Sequence, residues 1–329
     1  MFYYWDNCPL RAVYYHKYKH KQLFPKHPDA DLGSIIHSFY ENKHKWGIIN
    51  EKIFNKKWDE LIDKLNKDYK ENILQSQYIP IQWHSNYYAV KKKLLKDFLL
   101  TYKKAKPTTS RIKNEVWIED KGKIVAGKVD MLIYDKEGNV TEIIDYKTGK
   151  IFEKKEGKLV IKEVYKTQLA LYSKIIIDKQ DINPLLSIIT LKGQKYNIEI
   201  TNDFIIQTYN KAVSLKDTIN KALMNGDYCN LSKTNKDNCY RCNYRNICDA
   251  YKKVFFNNSI KKSIDVKGKI VNITNTSFDI ETGNNTFRII NNAKLNVIKN
   301  KVLTIYNLYF HDKENLVLYT QKNTMIEYE

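Results

Sequence analysis

The chain has 329 residues, 43% of them hydrophobic, with 56 Lys/Arg against 37 Asp/Glu and a formal charge of +19. With 11 Gly and 6 Pro it is neither collagen-like nor low-complexity, and no apolar run approaches the roughly 20 residues that span a bilayer. The charge points to a polyanion, most simply nucleic acid; an AT-rich coding bias accounts for Lys over Arg but not for Lys over Glu.

Met1–Asp6 lacks the basic start and small-residue cleavage site of a signal peptide, so a cytoplasmic protein of a prokaryote or phage is expected. Pro9 suits the first position of a helix that begins after Cys8. A second helix is expected over 31–46. A long third covers 51–76, with Phe54, Trp58, Leu61, Ile62, Leu65 and Tyr69 at 3–4 spacing. Another covers 87–103. Strand patterns follow at 113–119, 123–134 and 140–147, separated by turns at 120–122 and 135–139. A helix over 164–178 leads to a hairpin, 185–191 and 196–200, around Lys192-Gly193-Gln194. A last long helix covers 203–225 and stops at Gly226.

Beyond residue 262 the texture changes to strands, at 264–273, 277–282, 285–291, 301–310 and 315–321. A short link after the third strand suggests an OB-like β-barrel. This segment holds nine Lys/Arg and seven Asp/Glu, a net of +2, which leaves +17 for residues 1–261. The division expected is 1–255, a linker at 256–263, and a barrel at 264–329. Tyr306, Tyr309, Phe310 and Tyr319 are candidate stacking surfaces for single-stranded bases. The near-neutral charge equally suits a barrel that packs on the first domain or binds a protein.

The chemistry concentrates in four places. In Ile143-Ile144-Asp145-Tyr146-Lys147-Thr148-Gly149 a buried strand ends in a carboxylate, and a lysine follows two places on. Alternation puts Asp145 and Lys147 on one face. That pair suits phosphodiester hydrolysis: the carboxylate holds a divalent metal and the ammonium offsets phosphate charge or orients the attacking water. Asp130 sits inside an apolar strand, where a lone carboxylate is costly. The 15 residues between them suit one hairpin that brings both to adjacent strand positions. Gly33 and His37 share a helix face at i, i+4, and so do Gln168 and Tyr172. Each feature alone has a structural reading: a surface ion pair, a salt bridge, a core histidine, an ordinary helix face.

In this order the motifs resemble the RecB-like nuclease branch of the PD-(D/E)XK superfamily over about residues 1–255. The resemblance implies an α/β restriction-endonuclease-like core with helical additions. It implies that His37, Asp130, Asp145 and the backbone carbonyl of Tyr146 bind Mg2+ or Mn2+. Lys147 becomes the catalytic lysine alongside Asp130 and Asp145. Gln168 and Tyr172 contact DNA or support the site. Glu115 falls where the family often carries a further acid, although Glu115, Trp117 and Glu119 also alternate like an edge strand.

The cysteines are Cys8, Cys229, Cys239, Cys242 and Cys248. An odd count without a secretory signal argues against a disulfide framework. Cys239-x-x-Cys242 and Cys248 need a fourth ligand, either Cys229 in a structural Zn2+ site or Cys8 in a [4Fe-4S] cluster. Cys8-Pro9-Leu10-Arg11 resembles the N-terminal cysteine segment of iron–sulfur RecB-like nucleases, which include AddB-type subunits and CRISPR-adaptation exonucleases. That resemblance implies the cluster, with Cys229 a spare, half-buried thiol. No P-loop is present, so a helicase would be a separate partner. The expected function is a metal-dependent deoxyribonuclease acting on single-stranded DNA or DNA ends, in recombination or repair, CRISPR adaptation or phage DNA processing. The rival is a non-catalytic nucleic-acid-binding or scaffold protein that keeps the nuclease fold.

Overall fold

Hydrophobic periodicity sets the elements, and the computed structural model describes residues 2–18, 21–42, 46–48, 50–102, 111–191, 193–240, 242–283 and 285–329. Parts of the expected helices at 43–45 and 103, and Lys192 of the expected turn, lie outside them. The chain divides into two units. The first gathers residues 1–6, 28–71 and 79–221; the second gathers 7–27, 72–78 and 222–329. Among the described residues no helix is long and apolar enough to cross a membrane.

At the N-terminus lie α1 (Phe2–Asn7) and α2 (Leu10–Tyr18). In the first unit α3 (Pro28–Asn42), α4 (Glu51–Glu71) and α5 (Tyr87–Tyr102) pack through an aromatic cluster. Phe39 meets Phe54 at 4.9 Å and Phe98 at 5.7 Å between ring centroids, and Trp58 donates its indole N–H to the Tyr87 hydroxyl at 2.8 Å. Phe54 and Trp58 are 3–4-spaced residues of α4, and burial of these rings holds the three helices together.

A mixed sheet follows: β1 (Arg111–Glu119), β2 (Ala126–Tyr134) and β3 (Val140–Lys147), all antiparallel neighbours. The polar hairpin β4 (Phe152–Lys155) and β5 (Lys158–Ile161) leads into α6 (Glu163–Gln180). This helix crosses back to β6 (Leu185–Thr190), which pairs parallel to β3 and antiparallel to β7 (Lys195–Asn197). The order is β1-β2-β3-β6-β7, so β3 is central. Leu169 and Ile175 of α6 bury fully against Val129, Ile143 and Ile188. β3 is buried along most of its length, although Thr141 and the buried Glu142 interrupt its apolar residues Val140, Ile143 and Ile144. The helix α7 (Asn202–Met224) ends before Gly226, which takes a φ of 73°.

The second unit contains α8 (Lys236–Cys239), α9 (Asp249–Phe255) and a short strand β8 (Ser259–Ile260). Then come β9 (Ser263–Ile273), β10 (Ser277–Glu281), β11 (Thr286–Ile290), β12 (Val302–Asp312), β13 (Val317–Tyr319) and β14 (Met325–Tyr328). The order β9-β10-β11-β13-β12 closes because β12 also pairs with β9, and β11 and β13 are parallel. This is a closed five-stranded OB-like barrel, filled by Val266, Ile270, Ile280, Ile289, Leu303, Ile305 and Leu318.

One barrel expectation is corrected. Tyr306 is 1% exposed and its hydroxyl donates to Glu327 at 3.0 Å, so it offers no surface to a base. The cause is a register shift between Ile305 and Leu308, where Asn307 takes a φ of 61°. A bulge resets the in–out alternation, so Ile305, Tyr306 and Leu308 are all buried. Tyr309, Phe310 and Tyr319 are half-buried.

Candidate active site

The site grows from the end of β3. Met131 lies opposite Ile144, and one further step of that register sets Asp130 beside Asp145. Asp145 is 2% exposed. The Lys147 ammonium pairs with Asp145 Oδ2, as strand alternation requires. Asp130 Oδ2 accepts the Tyr146 N–H at 2.7 Å and lies 3.6 Å from His37 Nδ1. His37 is on α3, and Tyr40 of the same helix stacks on Tyr146 at 4.7 Å. Gly33, one turn before His37, lets α3 approach the end of β3: a Cβ there would meet Thr148 Oγ1 at 3.3 Å.

Gln168 and Tyr172 of α6 hold the lysine from the other side. Lys147 Nζ donates to Gln168 Oε1 at 3.1 Å and lies 5.1 Å from the centre of the Tyr165 ring. Gln168 Nε2 donates to the Tyr172 hydroxyl at 3.1 Å, which donates to the Lys128 carbonyl at 2.9 Å. The closeness of α6 and β2 requires glycine at 127, where a Cβ would meet the Tyr172 ring at 2.6 Å. This chain of bonds fixes the ammonium in one place.

Glu115 is where β1 leaves its ladder with β2. Its neighbours Asn114 and Val116 pair with Met131 and Val129, while Glu115 takes a φ of 53°. Its carboxylate pairs with Lys128. It also hydrogen-bonds Glu41, an acid the sequence reading did not single out. Glu41 lies one turn after His37 on α3, and that i, i+4 spacing was its only signal. Burial, then the hydrogen bond and charge of Glu115, push Glu41 up to about 7.

Burial pushes the Asp145 carboxyl up to about 6 against the pull of Lys147, with Asp130 adding to the rise. Burial alone lowers the His37 imidazole, but its hydrogen bond to Asp130 and that carboxylate's charge outweigh it, and the net shift is upward. A divalent cation needs Asp145 ionised and His37 neutral, so its binding expels protons. Mn2+ affinity is therefore expected to rise between about pH 5 and pH 8, with proton release. Calorimetry in buffers of different ionisation enthalpy measures both; a pH-independent affinity contradicts the assignment.

The sequence profile of the PD-(D/E)XK nuclease superfamily matches residues 5–249, more than half of the chain. The chain belongs to that superfamily. A search of curated proteins finds no match. PD-(D/E)XK nucleases use divalent metals such as Mg2+ or Mn2+ and act on DNA. The donor set here fits such an ion: two carboxylates adjacent in register, one of them buried, and an imidazole 3.6 Å from the other.

The matched range runs from before Cys8 to just after Cys248. In the second unit Cys8, Cys239, Cys242 and Cys248 line one cavity, together with Tyr14 and Arg245. The two ends of the matched segment meet through side chains: Tyr14 donates to the Ile247 carbonyl at 3.3 Å, and Asn238 donates to the Asn7 carbonyl at 2.8 Å. Burial, then the neighbouring thiols, push Cys239 up to about 11 against a backbone hydrogen bond, and burial raises Cys248. Arg241, within the Cys239–Cys242 motif, lies outside the described residues. Cys229 is exposed rather than half-buried, because it sits on a surface turn at Tyr228–Leu231, and it does not line the cavity.

Proposed function

We propose that this chain is a metal-dependent deoxyribonuclease acting on single-stranded DNA or DNA ends, with a structural [4Fe-4S] cluster. The observation that carries the nuclease reading is the convergence at the end of β3: Asp145, only 2% exposed, pairs with a lysine held by Gln168, and Asp130, in register beside it, lies 3.6 Å from His37. One lysine does not offset the burial of Asp145 and the neighbouring charge of Asp130, which together still hold its carboxyl above the usual range; a divalent cation would.

His37, Asp130, Asp145 and the Tyr146 carbonyl would hold Mg2+ or Mn2+, which supplies Lewis-acid stabilisation of charge on a phosphoryl oxygen. The chain's own residues do the rest. Lys147 offers N–H donors and positive charge to the phosphate and the attacking water. Gln168 and Tyr172 keep that ammonium on the side of Asp145. Tyr146 fixes Asp130 through its backbone N–H. The charge of +17 on residues 1–261 favours a phosphate backbone.

Lys147→Ala is expected to keep Mn2+ binding and to lose roughly 10²–10³-fold in cleavage of labelled single-stranded DNA. Equal cleavage by the variant rejects the role of Lys147.

The cluster reading is supported by four thiols around one cavity, contributed by the two ends of the family-matched segment 5–249. The helicase, CRISPR or phage partner is set by the pathway in which the nuclease works.

A further inference from the structure

Arg245 lies between Cys242 and Cys248 in sequence, lines the cysteine cavity, and is only 4% exposed. Its guanidinium has a partner on every side. Nε donates to Asp265 Oδ2 at 3.0 Å, and Nη1 donates to the Tyr240 carbonyl at 2.7 Å and the Cys239 carbonyl at 3.5 Å. Nη2 donates to Asn307 Oδ1 at 2.5 Å. The Phe24 ring lies 4.8 Å from the guanidinium carbon.

Asp265 is on β9, fully buried, and is as thoroughly used. Its Oδ2 also accepts the Tyr251 hydroxyl at 2.5 Å, and its Oδ1 accepts the Asn307 N–H at 2.8 Å. Asn307 is the bulge residue of β12, and its Nδ2 donates to the Asn323 carbonyl at 2.8 Å. One guanidinium thus ties two barrel strands to the carbonyls of the segment that carries Cys239.

A buried ion pair is on average a poor way to gain stability, since desolvation offsets the attraction. What it gives here is geometry. The planar fork fixes two backbone carbonyls relative to a carboxylate, which a lysine cannot do. We propose that Arg245 and Asp265 are positioning residues of the cysteine site, and that the barrel is the frame on which that site is held. This rests on reading Cys8, Cys239, Cys242 and Cys248 as ligands of a metal group. It assigns the barrel a role other than nucleic-acid binding.

The test uses the full chain purified without oxygen. Arg245→Lys keeps the charge opposite Asp265 but loses the fork on the carbonyls. Asn307→Gly removes the Nη2 acceptor, and glycine suits the left-handed backbone at that position, so the barrel should fold. Arg288→Gln, which breaks an exposed pair with Asp279 on the same barrel, is the control. Iron and sulfide per chain, the rate of bleaching in air, and the thermal unfolding midpoint are read for each. Loss of a supporting partner weakens metal sites by roughly 10–100-fold. Bleaching should therefore be faster by about that factor in Arg245→Lys, and measurably faster in Asn307→Gly, at a midpoint matching the control. If Arg245→Lys fails to fold, Asn307→Gly decides. Wild-type bleaching in the folded variants overturns the positioning role alone. Wild-type protein without iron, sulfide or zinc overturns the cysteine-site reading itself, and the positioning role with it.

Discussion

Asp145→Asn is expected to abolish metal-dependent cleavage, by at least roughly 10³-fold, without destabilising the metal-free protein. The two halves of this result have one cause. The folded state raises the Asp145 carboxyl to about 6, chiefly through burial. A carboxyl raised above its unfolded value binds its proton more tightly in the folded state. Its stability contribution is full below the unfolded value and is lost as pH rises through about 6. At neutral pH the ionised Asp145 is a cost that asparagine removes, and Lys147 keeps its bond to Gln168. Thermal unfolding without metal should give a midpoint at or above wild type, while calorimetry shows no Mn2+ binding. A variant that unfolds far below wild type would show that Asp145 is a structural ion-pair partner instead.

Cys8→Ala is expected to remove the iron–sulfur chromophore and to destabilise the second unit, whereas Cys229→Ala leaves both unchanged. Cys8 joins the cavity from the N-terminal end, and its sulfur accepts the Lys233 N–H at 3.5 Å. Metal binding at such a site is coupled to folding, because the ligands converge only in the folded chain. Cys229 is exposed and lies outside the cavity. Visible absorption and iron content measure the first effect; unfolding monitored by circular dichroism measures the second. Bleaching by Cys229→Ala but not by Cys8→Ala would reverse the ligand choice. A colourless wild type containing zinc would replace the cluster with zinc.

Much of the candidate site was legible because its residues obey local periods. Asp145 and Lys147 are two apart on a strand, Gly33 and His37 four apart on a helix, and Gln168 and Tyr172 likewise. A fixed period places such pairs on one face before any tertiary contact is known. What broke the period was hidden. Glu115 leaves the β1 ladder with a φ of 53°, and only then does it face Glu41. The bulge at Asn307 turns Tyr306 inward. The hairpin β4–β5 is rich in Lys and Glu, half-buried at most, and carries little apolar signal. Arg245 and Asp265 were invisible for a different reason: each looks like an ordinary surface charge until the barrel closes over both. The OB-like barrel itself was readable from five alternating runs and the irregular link after the third, while β14 was missed as a short terminal addition.

The proposed metal-dependent nuclease depends on the carboxylates around Asp145. The most direct measurement is a time course of end-labelled single-stranded DNA with wild-type protein, in Mn2+ and in chelator, beside Asp130→Ala prepared identically. Cleavage is expected from the wild type in Mn2+ alone, and none in chelator or with the variant. Cleavage that survives chelation, or equal cleavage by Asp130→Ala, would contradict it, and so would no cleavage by metal-loaded wild type.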